Sequence, residues 1–158
     1  MSGTGIFTFA QNFAAALVAD PTIAAFCAEK FGRPMAAQIG QSAEANPKPD
    51  DCPITIITLG SRGTSDDGHM RARSIRMGVN IVADGKLTTV STGVKIISGL
   101  VILDELMDLI EKFIVSYSQT SGIGIASTPQ GGPEDVIDNE ILKAWLALGV
   151  QLDSEYRT

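Results

Sequence analysis

Ser74-Ile75-Arg76-Met77-Gly78-Val79-Asn80-Ile81 alternates: Ile75, Met77, Val79 and Ile81 fall on every second residue, with Arg76, Gly78 and Asn80 between them. Side chains of a strand point to opposite faces in turn, so this is the pattern of a strand with one buried face. Downstream the period changes. Leu103, Leu106, Met107, Ile110, Phe113, Ile114 and Tyr117 mark one face of a helix, and Asp104, Glu105, Asp108, Glu111 and Lys112 fill much of the rest. The spacing predicts a helix over 98–118. Its acidic residues sit in the first half, where they complement the helix dipole. Two-residue alternation returns at Leu142, Ala144, Leu146, Leu148, Val150 and Leu152. Ile141, Trp145 and Leu148 also share a helical face, so a helix over 141–148 competes. The strand is preferred because Gly149, Val150 and Gln151 continue the alternation.

Around these elements the signals are shorter. Pro53 to Leu59 is rich in Ile and Thr and reads as a strand, with Pro53 at its first residue, where a missing donor is tolerated. Asp84-Gly85 is a tight-turn signal. Lys86 to Ile97 reads as a strand followed by an irregular entry to the helix. Near the N-terminus, Thr8 is placed to cap a helix carrying Phe9, Phe13, Ala16 and Leu17, and Asp20-Pro21 signals a second start, with Asp as N-cap and Pro at the first helical position. Phe31-Gly32 ends that segment, as one kinked helix or two short ones. Arg33 to Asp51 reads as a linker, since Asn46-Pro47-Lys48-Pro49 disfavours regular structure. The Gly, Ser, Thr and Pro content of 119–133 predicts a flexible loop, and the acidic run 134–140 a helical turn. The expected fold is α+β: a mostly antiparallel sheet of about four strands, the 98–118 helix on one face, and an N-terminal helix or helix pair. All 158 residues form a single domain, with a mobile arm at 1–6, a polar hairpin loop at 60–73 and the loop at 119–133.

Composition narrows the function. With 44% hydrophobic and 19% charged residues the chain has the makings of a globular core. Its net charge of −6 argues against a protein held to nucleic acid by phosphate contacts, which needs a clustered basic face. The two cysteines, Cys27 and Cys52, are too few for a disulfide framework and read as reduced core residues. No secretory leader and no membrane-length apolar run is evident, so the expected place of synthesis is a cytoplasm.

Site chemistry is sparse. Asp66, Asp67 and His69 are the one place where carboxylates meet an imidazole. The segment lacks a second His or a Cys at ligand spacing, and a solvated hairpin tip accounts for it. His69 is the single histidine, so any Ser-His or Cys-His mechanism must use it, and it sits in a Gly-rich stretch with no Gly-x-Ser-x-Gly turn. Gly3-Thr4-Gly5, Gly122-Ile123-Gly124 and Ser91-Thr92-Gly93-Val94-Lys95 lack the spacing of phosphate loops. No catalytic, cofactor-binding or metal-binding residue is assigned. Arg62, Arg71, Arg73 and Arg76, with Asp66 and Asp67 among them, form the one basic cluster, which reads either as a solvated hairpin or as a docking surface. Trp145 reads as core or subunit interface. The expected partner-binding residues are Arg62, Asp66, Asp67, Arg71, Arg73 and Trp145.

The layout resembles a known family. A helix runs through small residues to Ala19-Asp20-Pro21, an extended segment enters a strand at Cys52-Pro53-Ile54-Thr55-Ile56, and a strand of the type Val-x-Ile-x-Ala-Asp-Gly spans Val79 to Gly85. A long helix and a closing strand follow. This order is similar to that of the tail terminator and tail completion proteins of tailed bacteriophages, from Thr8 to Leu152, with the 122–139 insert departing from the compact pattern and fitting the longer versions of contractile tails. The resemblance implies a structural virion protein of the neck: a hexameric ring assembled in the host cytoplasm that caps the head-proximal end of the tail tube and forms a platform for head–tail joining. Implied partners are further copies of the chain, the tail tube protein, the head–tail connector or another neck protein and, in contractile tails, the sheath. The resemblance also implies a sheet that lines or extends the tube, with helices outside, and a lumen through which DNA passes without specific binding. No cofactor and no membrane are implied. Other readings stay open: a head-completion adaptor, a small oligomeric enzyme with His69, Asp66 and Asp67 supplied between subunits, or a ligand-binding module with an apolar pocket.

Overall fold

A computed structural model describes residues 5–42, 44–62, 70–82, 87–136 and 141–153, with 60–62, 70–72, 131–136 and 153 as backbone only. The chain is α+β. Two helices, α1 (Ile6–Ala19) and α2 (Pro21–Phe31), precede a short strand β1 (Ala36–Ile39). A 3-10 turn (Pro49–Asp51) leads into β2 (Ile54–Arg62) and β3 (Met70–Val82). A hairpin of β4 (Leu87–Ser91) and β5 (Val94–Ile97) delivers the chain to α3 (Ser98–Ser121), and β6 (Gly124–Val136) and β7 (Ile141–Asp153) complete the described chain.

The main sheet has five strands in the order β1-β2-β3-β7-β6. The β1–β2 pair is parallel and the other three pairs are antiparallel. β3 lies at the centre and pairs along its length with β7, from Met70 opposite Asp153 to Val82 opposite Ile141. The alternating residues Ile75, Met77, Val79 and Ile81 are all buried, as are Leu142, Ala144, Leu146, Leu148, Val150 and Leu152 facing the same core. The alternation at 141–152 is therefore that of a strand.

Helix α3 closes this face with Leu103, Leu106, Met107, Ile110 and Ile114. Helix α1 joins it through rings: Phe13 lies 5.6 Å from Phe9, 5.6 Å from Phe113 and 5.4 Å from Tyr117, centroid to centroid. Edge-to-face and offset pairs of this kind add roughly 0.5–1.5 kcal/mol each beyond their buried area. At Asp20 the chain breaks into two helices, as its sequence signals. The Asp20 carboxylate accepts a 3.0 Å hydrogen bond from the Ile23 amide, and Pro21 occupies the first turn, where its missing donor costs nothing. Helix α2 stops at Gly32, whose φ of 70° lies in the left-handed region that a Cβ disfavours.

Several expectations need correction. Helix α1 starts at Ile6 after Gly5, so Thr8 lies inside its first turn rather than capping it. Of the mobile arm expected at 1–6, Gly5 and Ile6 instead form the helix start, and residues 1–4 lie outside the described residues. The 33–51 linker contains β1, which pairs with β2 from Ala36 opposite Ile54 to Ile39 opposite Ile57. Four residues with two alanines carry too little pattern to announce a strand; long-range pairing makes it one. The loop expected at 119–133 is instead the last turn of α3 and strand β6, and the strand runs to Val136 where a helical turn was expected. Ser118 makes that junction: its hydroxyl donates to the Ile123 carbonyl at 2.7 Å and accepts from the Ile125 amide at 3.3 Å. Pro129 and Pro133 are tolerated because β6 is an edge strand with register shifts beside them. The irregular entry to α3 is the β4–β5 hairpin. β2 and β7 are interior strands of the sheet, and its edges are β1 and β6. Of the hairpin loop expected at 60–73, residues 60–62 and 70–73 belong to β2 and β3, and 63–69 lie outside the described residues, as do 83–86, where a tight turn was expected, and 137–140.

Candidate interaction surface

The strands present a second face, away from α3. Register places Ile54, Asn80 and Lys143 side by side across β2, β3 and β7, then Ile56, Gly78 and Trp145, then Thr58, Arg76 and Ala147. Near one end this face is covered: Cys52, Ile54, Ile56 and Ile141 form a small buried cluster. Toward the other end it opens, and Ser74, Arg76 and Gly149 are exposed.

At the boundary stands Trp145, half-buried and lying flat on Gly78. A Cβ on Gly78 would stand 2.6 Å from Trp145 Cζ3, well inside contact distance, so the ring fills the space that any other residue would claim. On its outer side the Arg76 guanidinium lies 4.1 Å from the ring centroid. The three groups make a layer: glycine backbone, indole, guanidinium. A cation over an indole is worth about 0.5–1 kcal/mol at an exposed site, and the stack holds the fork in place.

The expected partner-binding residues are only partly brought together. Arg73 sits in register opposite Arg62 and Val150, with the alternation of buried Ile75, whereas Arg76 projects from the other face beside Trp145. The arginine cluster of the sequence is thus divided between two sides of the sheet. Arg71 pairs in register with Leu152. Asp66, Asp67 and His69 lie outside the described residues. Gly78 was not singled out by its sequence context; the cross-strand register that sets it under Trp145 is invisible before β3 and β7 are paired.

Other chemistry is limited. Both cysteines are free and buried. Burial pushes the Cys27 thiol up to about 11. Cys52 also rises to about 11, chiefly by burial, with Asp51 adding and Arg33 and Lys143 offsetting. Neither is a nucleophilic thiolate near neutral pH. A cleft of about 400 Å³ is lined by Lys30, Phe31, Arg33, Pro49, Asp50, Cys52 and Val82. Its Arg33 is already committed, donating through Nη1 to the carbonyls of Asp50 and, at 2.9 Å, Cys52, which pins the 49–52 turn. Among the described residues no three His, Cys, Asp or Glu side chains group as a metal site, and no helix is long and apolar enough to cross a membrane.

Comparison with models of known families finds no match, and none is found among curated proteins.

Proposed function

We propose that this chain is a structural ring subunit that caps the head-proximal end of a bacteriophage tail tube and offers a platform for head–tail joining. The observation that carries the reading is the order and packing of elements: a helix pair broken at Asp20-Pro21, an extended entry at Cys52-Pro53, antiparallel strands, a long amphipathic helix on one sheet face and a closing strand. That is the layout on which the resemblance to tail terminator and tail completion proteins rests. The open part of the opposite sheet face, with Arg76 and Trp145, suits a subunit that is one member of an assembly. Capping follows if one side of a closed ring copies the docking surface of the tube and the other does not propagate it. A net charge of −6 favours passage of DNA over adhesion to it.

The test is native mass by light scattering with negative-stain images of the same sample, alone and mixed with tail tubes. A closed ring with a central hole, seated at one end of the tube, is the expected result. A particle that stays monomeric in both conditions refutes the proposal.

A further inference from the structure

Arg76 is exposed, lies over the Trp145 ring, and has no carboxylate partner among the described residues. Tryptophan and arginine are the residue types most enriched at the energetic centres of interfaces, and this pair is already ordered before any partner arrives. Around it Ser74, Ala147 and Gly149 are small, so a partner can approach the sheet closely.

A matching surface exists on the same chain. On α3, Asp104, Glu105 and Asp108 are exposed, in the two turns that follow exposed Val101, and none makes an ion pair among the described residues. Asp104 and Asp108 are four apart, so they lie on the same helix face. A guanidinium fork donates to two carboxylate oxygens in its plane, and a pair of carboxylates one turn apart presents such oxygens. Within one copy the two surfaces cannot meet, because α3 covers one face of the sheet and Arg76 projects from the other.

We propose that Arg76, stacked on Trp145, receives the Asp104–Asp108 face of α3 from a second copy of this chain. Two different surfaces meet, so the contact is head-to-tail, the type that repeats around a closed ring. The inference rests on the ring reading and assigns its subunit contact.

Charge exchange tests it. The variants are Arg76→Glu, the pair Asp104→Lys with Asp108→Lys, and one chain carrying all three changes. Self-association is followed by light scattering and sedimentation, and folding by circular dichroism. Either side reversed alone is expected to weaken association at least about tenfold, since each leaves a like-charge contact. Mixing the two variants restores an alternating assembly, and the triple variant restores a uniform one. A wild-type ring that neither reversal disturbs overturns this contact and leaves the ring standing. Reversals that weaken association without rescue in the triple variant also overturn it, because each face then meets something else. A wild type that stays monomeric both alone and with tail tubes overturns the ring reading and this contact together. The α3 changes lie on an exposed helix face, so an unfolded Arg76→Glu chain leaves the acidic side as an independent test.

Discussion

Replacing Gly78 by alanine tests the layer beneath Arg76. The new Cβ would sit 2.6 Å from Trp145 Cζ3, and ordinary contact begins at 3.4 Å, so the ring must retreat by at least the difference, 0.8 Å. Retreat is resisted on the outer side, where the Arg76 guanidinium is 4.1 Å from the ring. Forcing an extra carbon into a filled site costs roughly 1–3 kcal/mol, while exchanging glycine for alanine in a strand returns roughly 0.5–1 kcal/mol. The expected net loss for Gly78→Ala is about 1–2 kcal/mol. With Trp145→Ala in place the clash is gone and only the gain remains, so the same substitution should then stabilise by about 0.5 kcal/mol. The assay is urea unfolding followed by circular dichroism at one fixed protein concentration, since Trp145 is the only tryptophan and its removal abolishes the fluorescence signal. In the Gly78→Ala single variant, tryptophan emission should shift to the red as the ring lifts. Equal effects of Gly78→Ala in the two backgrounds would show that indole and glycine are not coupled, and the layered account would be wrong.

Three further outcomes follow from the packing. Phe13 is 1% exposed and touches three rings, so Phe13→Ala should cost about 3–5 kcal/mol by thermal or urea unfolding; a cost below 1 kcal/mol would mean that α1 does not close the core. Asn80 is 3% exposed and its Oδ1 has no hydrogen-bond partner among the described residues, so Asn80→Val, which removes a buried acceptor and suits a strand, should stabilise by about 1 kcal/mol; destabilisation would reveal a partner for that oxygen. Burial raises the Cys27 thiol from 9.0 to about 11, so the folded chain holds that proton more tightly than the unfolded chain. Its contribution is complete below pH 9 and is lost as pH rises toward 11, and Cys27→Ala should lose less stability over that interval than the parent, read from urea midpoints at successive pH values.

The strong periods were legible in the residues themselves. Ile75 to Ile81 and Leu103 to Tyr117 each bury the face that their spacing predicts, because one core lies on one side of each element. Asp20-Pro21 broke the N-terminal segment as read, since capping is local chemistry. What stayed hidden was set by distant partners. β1 has four residues of weak pattern and becomes a strand only beside β2, and β6 looks like a loop because an edge can accept the Gly and Pro that a central strand cannot. The surface was harder still. Arg73 and Arg76 stand three apart in sequence and fall on opposite faces, and Trp145 joins Arg76 only through the β3–β7 register. Trp145 was read as core or subunit interface; its stacking partner and the glycine beneath it were not anticipated.

The strand order also sets a schedule for the ribosome. β6 has one neighbour in the sheet, β7, and β7 is made after it. The side of β3 that β7 occupies must likewise wait through the synthesis of the β4–β5 hairpin, α3 and β6. Until 141–153 emerge, the nascent chain carries the naked flank of its central strand and a solitary thirteen-residue ribbon, Gly124–Val136. Unpaired edges of this kind are what chaperones shield and what aggregation exploits. The prolines of β6 cannot donate to a ladder, which disfavours pairing of that segment with a wrong strand before β7 arrives.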